Sequence, residues 1–303
     1  MNRKKLLITL IMTLSLVLLI SGCGNPKDKV LYKINDKSIT AYDLSQYLPI
    51  FGKTVGVDIS TVTDKAQLAE MQKSALDDLV SLEVIKQYYA AKGKDVIPAT
   101  KDADLKAFMT QIKADAATVK FITDEKITDE YLQTFFLNRY YTSAFFAEVS
   151  AEIKDPNADA QKYYDSHKSE FTEEQVRASH ILVKTKPEAE AILTELKNGG
   201  DFAAIAKAKS IDTTSGVNGG DLGYFNKTAM VAPFAEAAFA TPVGQLSAIV
   251  QSDFGFHIIK VVDKKTVTTA FKDAQQNILY KLFDEAYKAK IETIKKTMKV
   301  VAY

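Results

Sequence analysis

The sequence predicts an α+β protein: a small mixed unit of strands and helices inserted in a mainly α-helical domain that is built from N- and C-terminal segments. Three observations carry this. Apolar residues recur at helical spacing on both sides of the middle of the chain, strand-like runs ("QVRASHILVK", "FGFHIIKVVD") are confined to that middle, and glycine density peaks there between Gly216 and Gly223. At 303 residues the chain also exceeds the usual size of one compact domain.

The first residues stand outside that fold. "MNRKK" is a basic start, "LLITLIMTLSLVLLI" is an apolar run short for a membrane span, and small residues follow in "SGCG", the pattern of an export signal. Cys23 is the sole cysteine, which excludes a disulfide within the chain. Ile20-Ser21-Gly22-Cys23 resembles a bacterial lipobox, in which cleavage precedes the cysteine and the thiol is lipidated. The expectation is a signal peptide at 1–22, a lipidated tether at 23–29, and a mature protein held on the outer face of the cell membrane, because two or more acyl chains anchor stably. An uncleaved signal anchor, or a secreted protein with an inert thiol, is the alternative.

Residues 30–172 form the N-terminal helical segment. "VLYKINDKSIT" reads as a strand and a turn at Asn35-Asp36, after which Thr40 and Asp43 resemble a capping box that opens a helix. Leu68, Met71, Ala75, Leu79, Leu82, Ile85 and Tyr89 then keep helical spacing from Asp64 to near Gly93. Leu105, Phe108, Met109 and Ile112 predict a short helix, and Thr128 opens another whose broad apolar face includes Phe135, Phe136, Phe145 and Val149. Asp155-Pro156-Asn157 breaks the chain before a short helix carrying Tyr163, Tyr164 and Phe171.

Residues 173–264 form the mixed unit of roughly ninety residues, a plausible size for a small domain. Within it "EAEAILTELKNGGDFAAIAKAKS" is helical with a Gly-Gly interruption, whereas "GGDLGYF" makes neither a good helix nor a good strand. From 265 to 303 the pattern is helical again, with Phe271, Ala274, Ile278, Phe283, Ala286, Ile291 and Ile294; so amphipathic a helix needs an apolar partner, and the N-terminal helices are the simplest one.

Composition excludes some functions. Lys+Arg 39 against Asp+Glu 38 leaves a net charge of +1, so no global field draws nucleic acid. Two histidines in strand-like runs, without a spare cysteine or a ligand spacing, are too few for a metal site. No Gly-x-Ser-x-Gly elbow is present, and "GGDLG" lacks the pattern of a phosphate-binding loop. The histidines themselves remain of interest. Alternation puts Ala178, His180 and Leu182 on one strand face and His257, Ile259 and Val261 on another, so each ring is either a hydrogen-bonded core residue or the partner of the other. Met230, Phe234 and Phe239, at helical spacing, read by themselves as ordinary core packing.

Taken in order, "RASHILV", "GGDFAAIAK", "SIDTTSGVNGGDLGYF", "MVAPFAEAAFATPVGQLS" and "FGFHIIKV" resemble the parvulin peptidyl-prolyl isomerases from about Val176 to Val262. The wider plan, a lipobox and helical segments flanking a parvulin module, is similar to PrsA-type foldase lipoproteins of Gram-positive bacteria. The resemblance implies an antiparallel sheet wrapped by helices, no cofactor, and rotation about X-Pro bonds of unfolded or newly exported polypeptides. By matching position it implies a hydrogen-bonded network of His180, Asp212 and His257, and a proline pocket lined by Leu222, Met230, Phe234 and Phe254. Lys184 alone matches the cationic cluster of phosphate-reading parvulins, so no preference for phosphorylated peptides is expected. A non-catalytic holdase that uses the module only for binding is the competing function. The apolar faces of the flanking helices allow a homodimer or a closed monomer. Activity that needs uncharged rings is expected to fall as the pH drops through about 6 to 7.

Overall fold

The computed structural model describes Lys27 and residues 29–303, so the expected export signal and the expected lipidation of Cys23 lie outside the described residues. The described residues divide into two compact units: one made of those up to Lys154 together with Lys281–Tyr303, the other Asp155–Tyr280. The mixed unit is thus inserted between two segments of the helical one.

The helical unit contains β1 (Val30–Ile34), β2 (Lys37–Thr40), α1 (Ala41–Thr54), α2 (Lys65–Ala91), α3 (Lys101–Ala114), α4 (Ala116–Asp124) and α5 (Asp129–Glu152). Capping fixes the starts. Thr40 and Asp43 form a reciprocal capping box, and the side chains of Asp64 and Thr128 accept from the first turns of α2 and α5. Asn35 takes φ 51° in the β1–β2 turn, a left-handed conformation that asparagine tolerates.

The inserted unit holds α6 (Pro156–Ser166), β3 (Thr172–Val183), α7 (Lys186–Lys197), α8 (Phe202–Lys209), α9 (Thr213–Gly216), β4 (Asp221–Phe225), α10 (Ala232–Ala240), β5 (Val250–Ser252) and β6 (Gly255–Thr268). The chain leaves through α11 (Phe271–Lys295) and ends in β7 (Val300–Ala302), which pairs antiparallel with β1 in a sheet of order β2-β1-β7. In the helical unit Ile291 and Ile294 of α11 join Leu76, Val84, Ile85, Tyr89, Phe145 and Val149 in one core, so the C-terminal helix does find its apolar partner among the N-terminal helices. Glu148 ties the same helices together, accepting from Tyr88, from the Tyr89 hydroxyl at 3.1 Å and from Lys290 Nζ at 3.0 Å.

The inserted sheet is antiparallel throughout, in the order β4-β3-β6-β5. β3 and β6 pair from Thr172↔Thr268 to Val183↔Phe256, with a bulge between Arg177 and Ala178. Because side chains alternate along a strand, the sheet has two apolar faces. Ile181, Val183 and Ile258 pack with Ala189, Ile192 and Leu196 of α7 and Phe202 and Ile205 of α8; Val176, Ala178, Ile259 and Val261 pack with Phe234 and Ala238 of α10.

Several local expectations are corrected. "GGDLGYF" does not stay out of regular structure: its last five residues are the edge strand β4, where Tyr224 and Phe225 suit a pleated surface and Gly223, at φ 66°, sits in a bulged stretch of the pairing with β3. Met230 precedes α10 in extended conformation, φ −121° and ψ 157°, since that helix begins only at Ala232, with Pro233 in its first turn. Phe171 lies in a 3₁₀ turn after α6 rather than on it, and α4 and β7 are elements beyond those the sequence pattern predicts.

Candidate active site

Pairing of β3 with β6 decides where the histidines stand. His180 lies opposite Ile259 and His257 opposite Leu182, so the two rings are diagonal neighbours on the same face. They are 6% and 4% exposed, stand 5.4 Å apart and nearly parallel at 19°, with Nδ1 facing Nδ1 at 3.1 Å.

The outer nitrogen of each ring is also engaged. His180 Nε2 is 2.7 Å from Asp212 Oδ2 and 3.1 Å from Ser215 Oγ, while His257 Nε2 is 2.7 Å from Ser252 Oγ. The short helix α9 sets the first pair: Asp212 caps it, its Oδ1 accepting from the N–H of Thr214 at 3.1 Å, and its Oδ2 accepts from the Ser215 hydroxyl. Burial pushes the Asp212 carboxyl up, but hydrogen bonds from Ser215 and His180 outweigh it and hold the group at about 2. Burial, helped by the neighbouring His180, pushes His257 down to about 4, well below 6.5, so this ring is uncharged at neutral pH.

For an uncharged pair beside an ionised Asp212 these contacts allow one set of directions. A carboxylate only accepts, so His180 donates from Nε2 and must accept at Nδ1. His257 then donates from Nδ1 and accepts at Nε2 from the Ser252 hydroxyl, whose oxygen accepts in turn from the N–H of Phe254 at 3.1 Å. A single chain of hydrogen bonds therefore runs Phe254 N–H, Ser252, His257, His180, Asp212.

Aromatic and apolar groups lie over the rings. Phe234, 3% exposed, meets His180 edge-on at 5.6 Å and 87° and His257 at 5.3 Å and 74°, with Phe225 6.0 Å away. Half-buried Leu222 and Met230 pack against the same cluster. Phe254 is not brought into it: the ring stands in the β5–β6 turn, 66% exposed, and only its backbone joins the network.

Gly220 holds the arrangement at backbone level. Its carbonyl accepts the His180 N–H at 2.9 Å, it adopts φ 82°, and a Cβ there would lie 2.2 Å from the His180 carbonyl oxygen. Ser215, Ser252 and Gly220 were not singled out as site residues from sequence. A signal existed only for Ser215, three residues after Asp212 at capping distance; Ser252 meets His257 through the hairpin register alone.

The chain is similar to known proteins both over the inserted unit and over most of its length. Residues 162–265 match the family described as PPIC-type PPIASE domain. The chain is 31% identical over 288 residues to the foldase protein PrsA of Clostridium tetani, covering 88% of this chain and 84% of that protein. It is 32% identical over 241 residues to the foldase protein PrsA of Caldanaerobacter subterraneus, covering 76% and 73%. Among solved structures, the peptidylprolyl isomerase PrsA of Bacillus cereus is 24% identical over 86% of both chains with a TM-score of 0.39. NmPin, the parvulin of Nitrosopumilus maritimus, is 47% identical over 29% of this chain and 96% of its own, with a TM-score of 0.28.

Proposed function

The chain belongs to the PrsA foldase family and is a parvulin-type peptidyl-prolyl cis-trans isomerase, and from this we propose that the His180–His257 site turns over X-Pro bonds of exported polypeptides while a lipid on Cys23 holds the protein at the outer face of the cell membrane. The reading of the site rests on one observation above all: a continuous chain of hydrogen bonds through both imidazoles lies directly against a buried phenylalanine with apolar neighbours.

The chemistry asked of such a site is modest. Partial double-bond character puts a barrier of roughly 18 to 20 kcal/mol on peptide rotation, and the reaction makes and breaks no covalent bond in the product. A surface that grips the proline ring through Leu222, Met230 and Phe234 lets the carbonyl end rotate, and favours the twisted, less conjugated amide over both planar forms. His180, His257 and Asp212 fix the floor of that surface; the carboxylate is satisfied by His180 and Ser215.

The decisive measurement is the cis/trans exchange rate at the X-Pro bond of a short unphosphorylated peptide. Native protein is expected to accelerate exchange, and Phe234→Ala and His180→Ala to lose most of the acceleration with the fold intact by circular dichroism. Absence of acceleration in the native protein would leave a holdase that binds without turnover. Mass spectrometry of the mature N-terminus checks the anchor: a diacylated or triacylated Cys23 is expected, and an unmodified thiol would refute it.

A further inference from the structure

The helical unit carries a second candidate site, independent of the histidine pair. A cleft of about 630 Å³ opens between α1, α2, α5 and α11 and is walled by Tyr47, Tyr131, Phe135 and Tyr287. Tyr47 and Phe135 have their ring centroids 6.5 Å apart. This volume accommodates several side chains of a bound segment.

One carboxylate in the cleft lacks a cation. Lys288 is paired with Asp284 at 2.7 Å, Lys295 with Glu292 at 2.7 Å, and Lys73 outside the cleft with Asp77 at 3.5 Å. The Arg139 guanidinium lies 3.7 Å from the centre of the Phe136 ring. Asp78 has no cation beside it among the described residues; its contacts are the Tyr47 hydroxyl, which donates to Oδ2 at 3.0 Å, and the like charge of Asp77. The side chain remains accessible from the cleft. Even so, the surrounding protein displaces enough water to push its carboxyl pKa up, against the Tyr47 hydrogen bond and with help from Asp77. A carboxylate with no cation beside it, held by a tyrosine hydroxyl in a cleft walled by aromatic residues, is complementary to a cationic side chain.

We propose that this cleft binds an extended polypeptide segment through a lysine or arginine side chain that pairs with Asp78 beside the rings of Tyr47 and Tyr287. Cationic side chains then give the helical unit a preference among unfolded segments that proline does not supply. The inference rests on the reading that this protein binds client polypeptides, and its test separates the two.

Two labelled, unstructured, proline-free peptides identical except for a central lysine or glutamine are titrated into the full chain by fluorescence anisotropy. The lysine peptide is expected to bind about tenfold more tightly, with a preference that shrinks at high salt. Asp78→Asn, which keeps the side-chain size, is expected to abolish the preference while leaving the glutamine peptide's affinity unchanged; Asp77→Asn is expected to retain it. Equal affinities in the native protein, or a preference that survives Asp78→Asn, would overturn the proposal yet leave client binding standing. Binding of neither peptide would overturn both.

Discussion

Acidification tests the histidine pair directly, because the two groups whose protonation the site most resists titrate in separate windows. His257 has a folded value of about 4 against an ordinary 6.5, so between those values the unfolded chain holds a proton on this ring that the folded chain does not. Its contribution to stability is therefore complete above about 6.5 and is lost progressively as the pH falls towards 4. Asp212, lowered from 3.8 to about 2, keeps its contribution until the pH drops below 3.8. The His257 difference corresponds to at most about 3 kcal/mol, most of it spent by pH 4.5. Solvent reaching the open side of the site brings the expected loss to roughly 2 kcal/mol. Two readouts check this. Ring proton resonances of the three histidines, assigned with the help of His257→Gln, should show one ring without a titration step above about pH 5. Hydrogen exchange of the β3 and β6 amides at pH 7 and 4.5, corrected for intrinsic rates, should show a larger loss of opening free energy in the native protein than in His257→Gln, where the titrating ring is gone and other carboxylates cancel in the comparison. A His257 midpoint near 6.5, or equal losses in both proteins, would show that the folded site does not resist protonation of this ring. The structure thereby moves the His257 part of any loss of activity well below the pH 6 to 7 window expected from an unperturbed ring.

Two further substitutions probe the scaffold. Gly220→Ala puts a methyl into the His180 carbonyl at a positive φ, and is expected to slow X-Pro exchange at least tenfold and to cost about 1 to 3 kcal/mol of stability in the inserted unit; native exchange rates in the variant would show that His180 is not held from there. Glu148→Ala leaves Lys290, with a side chain only 14% exposed, without its deepest partner and strips the acceptor from two tyrosines. It is expected to destabilise the helical unit by about 2 kcal/mol in urea unfolding while X-Pro exchange stays native, and a change below about 0.5 kcal/mol would count against the network.

What was legible in the sequence was what depends on near neighbours or on period. Thr40 with Asp43, Asp64 and Thr128 announce helix starts because a cap needs only the next turn. The alternation that put Ala178 with His180, and His257 with Ile259 and Val261, survives in the structure because both strands bury that face. What failed depends on distant partners. β7 has three residues and exists by pairing with β1, with Lys299 N–H donating to the side chain of Asn35 across the whole fold of that unit. β4 is a strand because Arg177 and Val176 of β3 offer it a ladder, despite three glycines in or just before it. Ser252 reaches His257 only because a two-residue turn at Asp253 and Phe254 sets the hairpin register. The helical spacing from Met230 to Phe239 misled for the opposite reason: a proline two residues into α10 fixes where that helix begins, and Met230 is left in front of it as an extended residue.

Two imidazoles back to back do something a single one in this place does not. A lone neutral ring buried on the sheet needs one donor and one acceptor among its neighbours, and leaves its orientation to whichever it finds. Here all four ring nitrogens are already engaged: the inner two with each other, the outer two with Ser252 on one side and with Asp212 and Ser215 on the other. No ring nitrogen is left with a lone pair or a proton to exchange with a bound peptide without breaking this chain. In the proposed site the rings would thus serve as a rigid floor packed against Phe234, rather than as a general acid or base. That division suits a reaction whose barrier is conjugation alone, since shape and exclusion of water act on the twisted amide, and a proton relay would have nothing to deliver.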